Sequence, residues 1–129
     1  MNFGRWEGKT YEEIAALNPG LYQQWMERPT EITFPGGECF REMRARVLPA
    51  LRLLISRHTG QSLAFVTHGG VIRIILAEAL RMEERDTFRI GQGYNAINLI
   101  RYIGDMPIVE LMNGTSLEKF GSVPVNSGS

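Results

Sequence analysis

Apolar residues recur at helical spacing along residues 38–58: Phe40, Met43, Val47, Leu48, Leu51, Leu54 and Ile55 share one side of a 3.6-residue repeat. The pattern predicts a long amphipathic helix, with Pro49 kinking or dividing it near Ala45. Thr59-Gly60-Gln61 stops it. Residues 62–67 read differently, as a short and nearly continuous apolar run. That suits a parallel strand buried on both faces. Residues 69–80 return to helical spacing. Residues 94–103 alternate as a strand, Gly104-Asp-Met-Pro107 turns the chain, and residues 108–112 give a second strand, together a hairpin.

Upstream, Thr10 with Glu13 three residues on has the spacing of a capping box, predicting a helix that Asn18-Pro19-Gly20 ends. Residues 21–27 suit a second short helix, and residues 28–37 form a loop with two prolines and two glycines. The first eight residues set Phe3 and Trp6 among glycines, which reads as a loop packed against something. After Asn113 the apolar density falls, so residues 113–129 read as a tail. Helix, strand, helix and strand in series indicate one α/β domain with a mixed sheet.

Composition narrows the function. The 129 residues carry 14 basic and 14 acidic side chains, a formal net charge of zero. A balanced chain argues against nucleic-acid and membrane-surface partners, which call for a basic excess. Cys39 is the only cysteine, which excludes an intrachain disulfide and fits a reducing cytoplasm. One cysteine and two histidines supply no zinc-type ligand set, and nothing implies a cofactor. No run approaches the roughly 20 apolar residues of a membrane span.

One of the two histidines, His68, stands where the predicted strand gives way to Gly69, Gly70 and a helix. That corner faces the carboxyl edge of a sheet, where α/β proteins bind ligands. The first N–H groups of the helix point outward unpaired and favour an anion. A histidine there adds a donor for a phosphate oxygen. The residue types leave a second reading equally open, a buried histidine satisfied by a backbone carbonyl. Arg57-His58 falls at a helix end that favours cations. Glu12, Glu13, Glu27 and Glu38 have capping or surface roles as their default, and Arg41, Arg44, Arg46 and Arg52 read as the wet face of the long helix. Tyr22 and Trp25 read as core, with a binding role open, and Cys39 as a small buried thiol.

Four segments in fixed order carry a resemblance: Asn2-Phe-Gly-Arg-Trp-Glu-Gly8 with Thr10-Tyr-Glu-Glu-Ile14, Phe34-Pro-Gly-Gly-Glu38, Phe65-Val-Thr-His-Gly-Gly-Val-Ile-Arg73 and Tyr94-Asn-Ala-Ile-Asn98. Together they resemble the histidine phosphatase superfamily, the phosphoglycerate-mutase-like phosphatases, up to about Met112. The segment from Glu27 to Glu38 is most similar to α-ribazole phosphatases of cobalamin synthesis. The resemblance implies a three-layer helix–sheet–helix fold around a mixed, mostly parallel sheet, a small phosphorylated metabolite as substrate and a phosphohistidine intermediate. It makes His68 a catalytic, phosphate-binding residue, with the Gly69 N–H beside it. It also places substrate specificity in residues 22–38, where Tyr22, Arg28 and Glu38 are the candidates.

The resemblance also implies groups that these residues do not contain. The nucleophilic histidine of a first-strand Arg-His-Gly, the arginines that neutralise the phosphoryl group and an acid glutamate would all precede Met1. The expectation is therefore the C-terminal portion of one phosphatase domain, lacking its first strand and helix and inactive alone. It would associate with the missing half or with a second copy. The alternatives are a mutase-type phosphoryl transfer and a non-catalytic phosphate-binding module.

Overall fold

In the computed structural model, which describes residues 1–117, Thr10 and Glu13 close the reciprocal cap that their spacing predicts. Thr10 Oγ1 accepts from the Glu13 N–H at 3.2 Å, and Glu13 Oε2 accepts from the Thr10 N–H at 2.8 Å. Helix α1 (Tyr11–Leu17) follows, then α2 (Pro19–Glu27). α2 begins two residues earlier than predicted, because a proline at the first helical position gives up only an N–H that has no partner there.

The N-terminal segment packs as expected. Trp6 is buried with Ile14, Ile32 and Phe34, its indole N–H donating to Asn18 Oδ1 at 3.1 Å. The ring of Trp25 lies among Phe3, Trp6 and Phe34 at centroid distances of 5.6–6.2 Å. Backbone bonds lock this segment to residues 35–38: Arg5 N–H donates to Pro35 O (2.8 Å) and Glu38 N–H to Asn2 O (3.0 Å). At Gly4, with φ of +58°, a Cβ would fall on the Pro35 carbonyl and the Gly37 nitrogen.

Helix α3 (Phe40–Arg57) buries Phe40, Met43, Leu48 and Leu51. It is not divided at Pro49. Pro49 and Ala45 are both exposed, so water can take up the carbonyl that proline leaves unpaired. Two arginines of α3, Arg44 (2.9 Å) and Arg52 (2.7 Å), converge on Glu78 of helix α4 (Gly69–Ala79). The predicted hairpin is present as β1 (Ile97–Ile103) and β2 (Met106–Gly114), antiparallel, with Ile103 opposite Met106 across Gly104-Asp105. A 3-10 turn at Glu84–Arg89, which the apolar pattern did not signal, brings the chain from α4 toward the hairpin.

Residues 62–67 depart from expectation. They form no strand, and among the described residues none of their backbone groups has a hydrogen-bond partner. They are exposed rather than buried, Val66 fully and Phe65 to 48%. A strand needs at least one neighbour to pair with, and nothing within residues 1–117 pairs with them. For the same reason the described residues build no three-layer, mostly parallel sheet; their one sheet is the two-stranded hairpin. The apolar core correspondingly falls into three clusters, around Trp6, around Phe40 and Met43, and around Leu76 and Ile90. Residues 113 and 114 belong to β2; the rest of the predicted tail beyond 117 lies outside the described residues.

Candidate functional site

His68 is the residue immediately before α4, with φ −88° and ψ +156°, and its carbonyl accepts the first helical hydrogen bond, from Ile72 N–H at 3.1 Å. The N–H groups of Gly69, Gly70 and Val71 therefore have no partner within the helix. The imidazole of His68 is exposed and makes no hydrogen bond among the described residues, so the reading as a buried, carbonyl-satisfied histidine does not hold.

The two glycines do different work. A Cβ on Gly70 would come within 3.3 Å of Met43 Cε, so Gly70 lets α4 begin close against the core of α3. A Cβ on Gly69 would lie 2.9 Å from Arg73 Nη1 and 4.0 Å from Gln92 Cβ. Arg73, one helical turn along, thus folds back over the start of its own helix. Its Nε donates to Ile90 O at 2.8 Å, and its guanidinium sits 5.5 Å from the Phe88 ring centroid. Behind it, Gln92 and Asn98 exchange reciprocal amide bonds of 2.9 and 2.8 Å, fixing the loop to β1.

His68, Gly69, Arg73 and Gln92 line one broad open concavity of about 2670 Å³, bounded also by Leu51, Ile55, Phe65 and Leu99. That exceeds the few hundred to roughly 1,000 Å³ of a small-molecule site. It is room for chain as well as ligand.

Tyr22, Arg28 and Glu38 lie outside it. Tyr22 packs edge-on to Trp25 at 6.2 Å, and Arg28, exposed, meets Glu31 at 3.5 Å. Glu38 is committed to Arg46 and the Asn2 N–H, and the Arg46 bonds hold its carboxyl below the usual glutamate range. Arg73 was not singled out from the sequence, although it ends the very motif that contains His68. The signal available was its i, i+4 relation to Gly69, which puts both on one helix face.

The family model for the histidine phosphatase superfamily (branch 1) matches residues 1–115. The chain belongs to that superfamily. A phosphoglycerate mutase-like protein 4 of Arabidopsis thaliana is 30% identical over 123 residues, covering 93% of this chain and 52% of its own length. Bacillus stearothermophilus YhfR superposes with a TM-score of 0.82 at 25% identity, over 89% of this chain and 57% of that one. A phosphoserine phosphatase mutant of Entamoeba histolytica, solved with phosphoserine, shares the fold with a TM-score of 0.68 at 22% identity. The chain spans between 31% and 52% of the length of the curated relatives it matches. The unpaired segment and the concavity are thus features of part of a histidine phosphatase fold.

Proposed function

We propose that this chain is the C-terminal portion of a phosphomonoesterase that works through a phosphohistidine, and that His68 and the Gly69 N–H hold the phosphoryl group. The observation that carries this is the exposed imidazole of His68, without a hydrogen bond among the described residues, set directly before three N–H groups of α4 that have no partner within the helix. Phosphoryl transfer needs positioning and charge neutralisation more than covalent help, and donors of this kind supply both. The nucleophilic histidine, its companion arginines and the acid glutamate come from the remainder of the fold, which fills the concavity and pairs with residues 62–67.

The substrate is a small phosphorylated metabolite. The phosphoserine complex of the Entamoeba histolytica enzyme supports a phosphorylated acid. The likeness of residues 27–38 to α-ribazole phosphatases supports α-ribazole 5'-phosphate. The test is the chain extended by an N-terminal half bearing Arg-His-Gly, assayed against phosphoserine, α-ribazole 5'-phosphate and 3-phosphoglycerate. We expect release of inorganic phosphate from one of them, an acid-labile phosphohistidine, and severe loss on His68→Ala. Phosphoryl exchange without phosphate release would indicate mutase chemistry instead. A folded extended protein with neither phosphohistidine nor turnover would overturn the reading.

A further inference from the structure

Most arginines among the described residues meet a carboxylate; Arg5, Arg57, Arg73 and Arg81 do not. Arg5, Arg57 and Arg81 are exposed and neutralised by water and salt. Arg73 is half-buried. Among the described residues its guanidinium meets a neutral carbonyl and an aromatic face and no carboxylate, which leaves its charge available to an anion.

The geometry points to Arg73 as the positioning residue of the phosphate site. Its fork divides the work: Nε ties α4 to the Ile90 carbonyl, while Nη1 is left against Gly69. The bond to Ile90 fixes the direction of the first N–H groups of α4 by clamping them to the loop of residues 88–92. The guanidinium gives the same place a positive charge from within this chain, independent of any arginine elsewhere in the fold. A lysine has a single point-like head and can serve only one of these positions at a time. Gly69 leaves Nη1 its place, since a Cβ there would lie 2.9 Å from it and the end of the guanidinium would have to shift.

This inference rests on the phosphatase reading, and titrating inorganic phosphate into the 129-residue chain separates the two. The readout is the Gly69 amide shift by NMR, with helical signal and melting midpoint followed in parallel. In the unaltered chain phosphate should move the Gly69 signal. Arg73→Gln should weaken that affinity at least about tenfold, the scale of one charge-assisted hydrogen bond. Arg73→Lys should fall between the two, and Arg57→Gln, the same charge change on an exposed site, should match the unaltered chain. A merely structural role predicts instead that affinity falls only in step with the melting midpoint. Equal affinity in Arg73→Gln and the unaltered chain overturns the role of Arg73 and leaves the phosphatase reading standing. No phosphate shift in the unaltered chain overturns the phosphate site itself, and Arg73 with it. Should Arg73→Gln lose its helical signal, Arg73→Lys decides: affinity equal to the unaltered chain overturns the inference, and a loss with an unchanged midpoint supports it.

Discussion

Arg46 grips Glu38 at two points, Nη2 to Oε1 at 2.8 Å and Nε to Oε2 at 3.3 Å. The bond ties the first turns of α3 to the end of the glycine loop, and the same carboxylate accepts the Asn2 N–H at 2.8 Å. The N-terminal segment, 36 residues away in sequence, and the start of α3 thus meet on one charge.

Stability should therefore depend on the ionisation of Glu38. Its carboxyl lies below the ordinary value of 4.5, first through the Arg46 hydrogen bond and then through Asn2, against an opposing effect of burial. A folded-state pKa below the unfolded one contributes stability that is complete above the unfolded value and is lost as pH falls through the folded one. Glu38→Gln should cost roughly 1 kcal/mol at neutral pH, since Arg46 remains largely in water. Melting midpoints of the two proteins should converge in acid below the glutamate range. A gap that persists unchanged into strong acid would mean that Glu38 acts by shape, not charge.

Gly4 gives a sharper test. It combines a left-handed φ with backbone atoms of Pro35 and Gly37 where a Cβ would go. Gly4→Ala should destabilise by roughly 2–4 kcal/mol, strain plus displaced backbone bonds. Gly8 is also left-handed, with φ of +74°, but has open space around it, so Gly8→Ala should cost only about 1 kcal/mol. Denaturant midpoints rank the two, and equal losses would remove the argument from close approach.

These contacts also mark what the sequence could show. The capping box at Thr10, the hairpin around Gly104 and the glycines opening α4 were legible because each is a local rule, decided within a few residues. The contact between Asn2-Phe-Gly4 and Pro35-Gly-Gly37 was not. Both motifs were visible, but nothing in their spacing says that they touch. Residues 62–67 failed for a third reason. Their composition describes a strand with neighbours on both sides, and a strand exists only when those neighbours are present. Arg73 was hidden differently, since an arginine on a helix reads as surface until the loop at Ile90 is known to lie over it.

Alone, these 129 residues should hydrolyse p-nitrophenyl phosphate no faster than buffer. Besides His68, the one histidine is His58, which ends α3 with its Nδ1 2.8 Å from Gln61 Oε1. Cys39 starts α3 in the loop region tied to Asn2. His58 lines the same broad concavity as His68, but its ring is engaged with Gln61, and Cys39 does not line it; a nucleophile must be poised to act, and neither is held against His68 by any contact among the described residues. Turnover that survives repurification and falls on His68→Ala would show that His68 does more than hold phosphate.

The exposed segment 62–67 leads to a prediction about association. Among the described residues its backbone donors and acceptors have no partner, and Leu63, Phe65 and Val66 present apolar surface to water. An edge of this kind is a template for another strand. In the absence of the remainder of the fold, the strand available at highest concentration is the same segment of another copy. We expect the purified chain to self-associate with rising concentration in light scattering. Val66 is the side chain to change, because it is fully exposed and takes no part in the clusters around Trp6, Met43 or Leu76. Val66→Lys puts a charge on the edge, which opposes strand pairing without touching the packed helices. Scattering should drop toward the monomer value while the helical signal and its melting midpoint hold. If Val66→Lys associates as strongly as the unaltered chain, the contact lies elsewhere on the concavity. If both are monomers at high concentration, the segment is not the open edge that its unpaired backbone makes it.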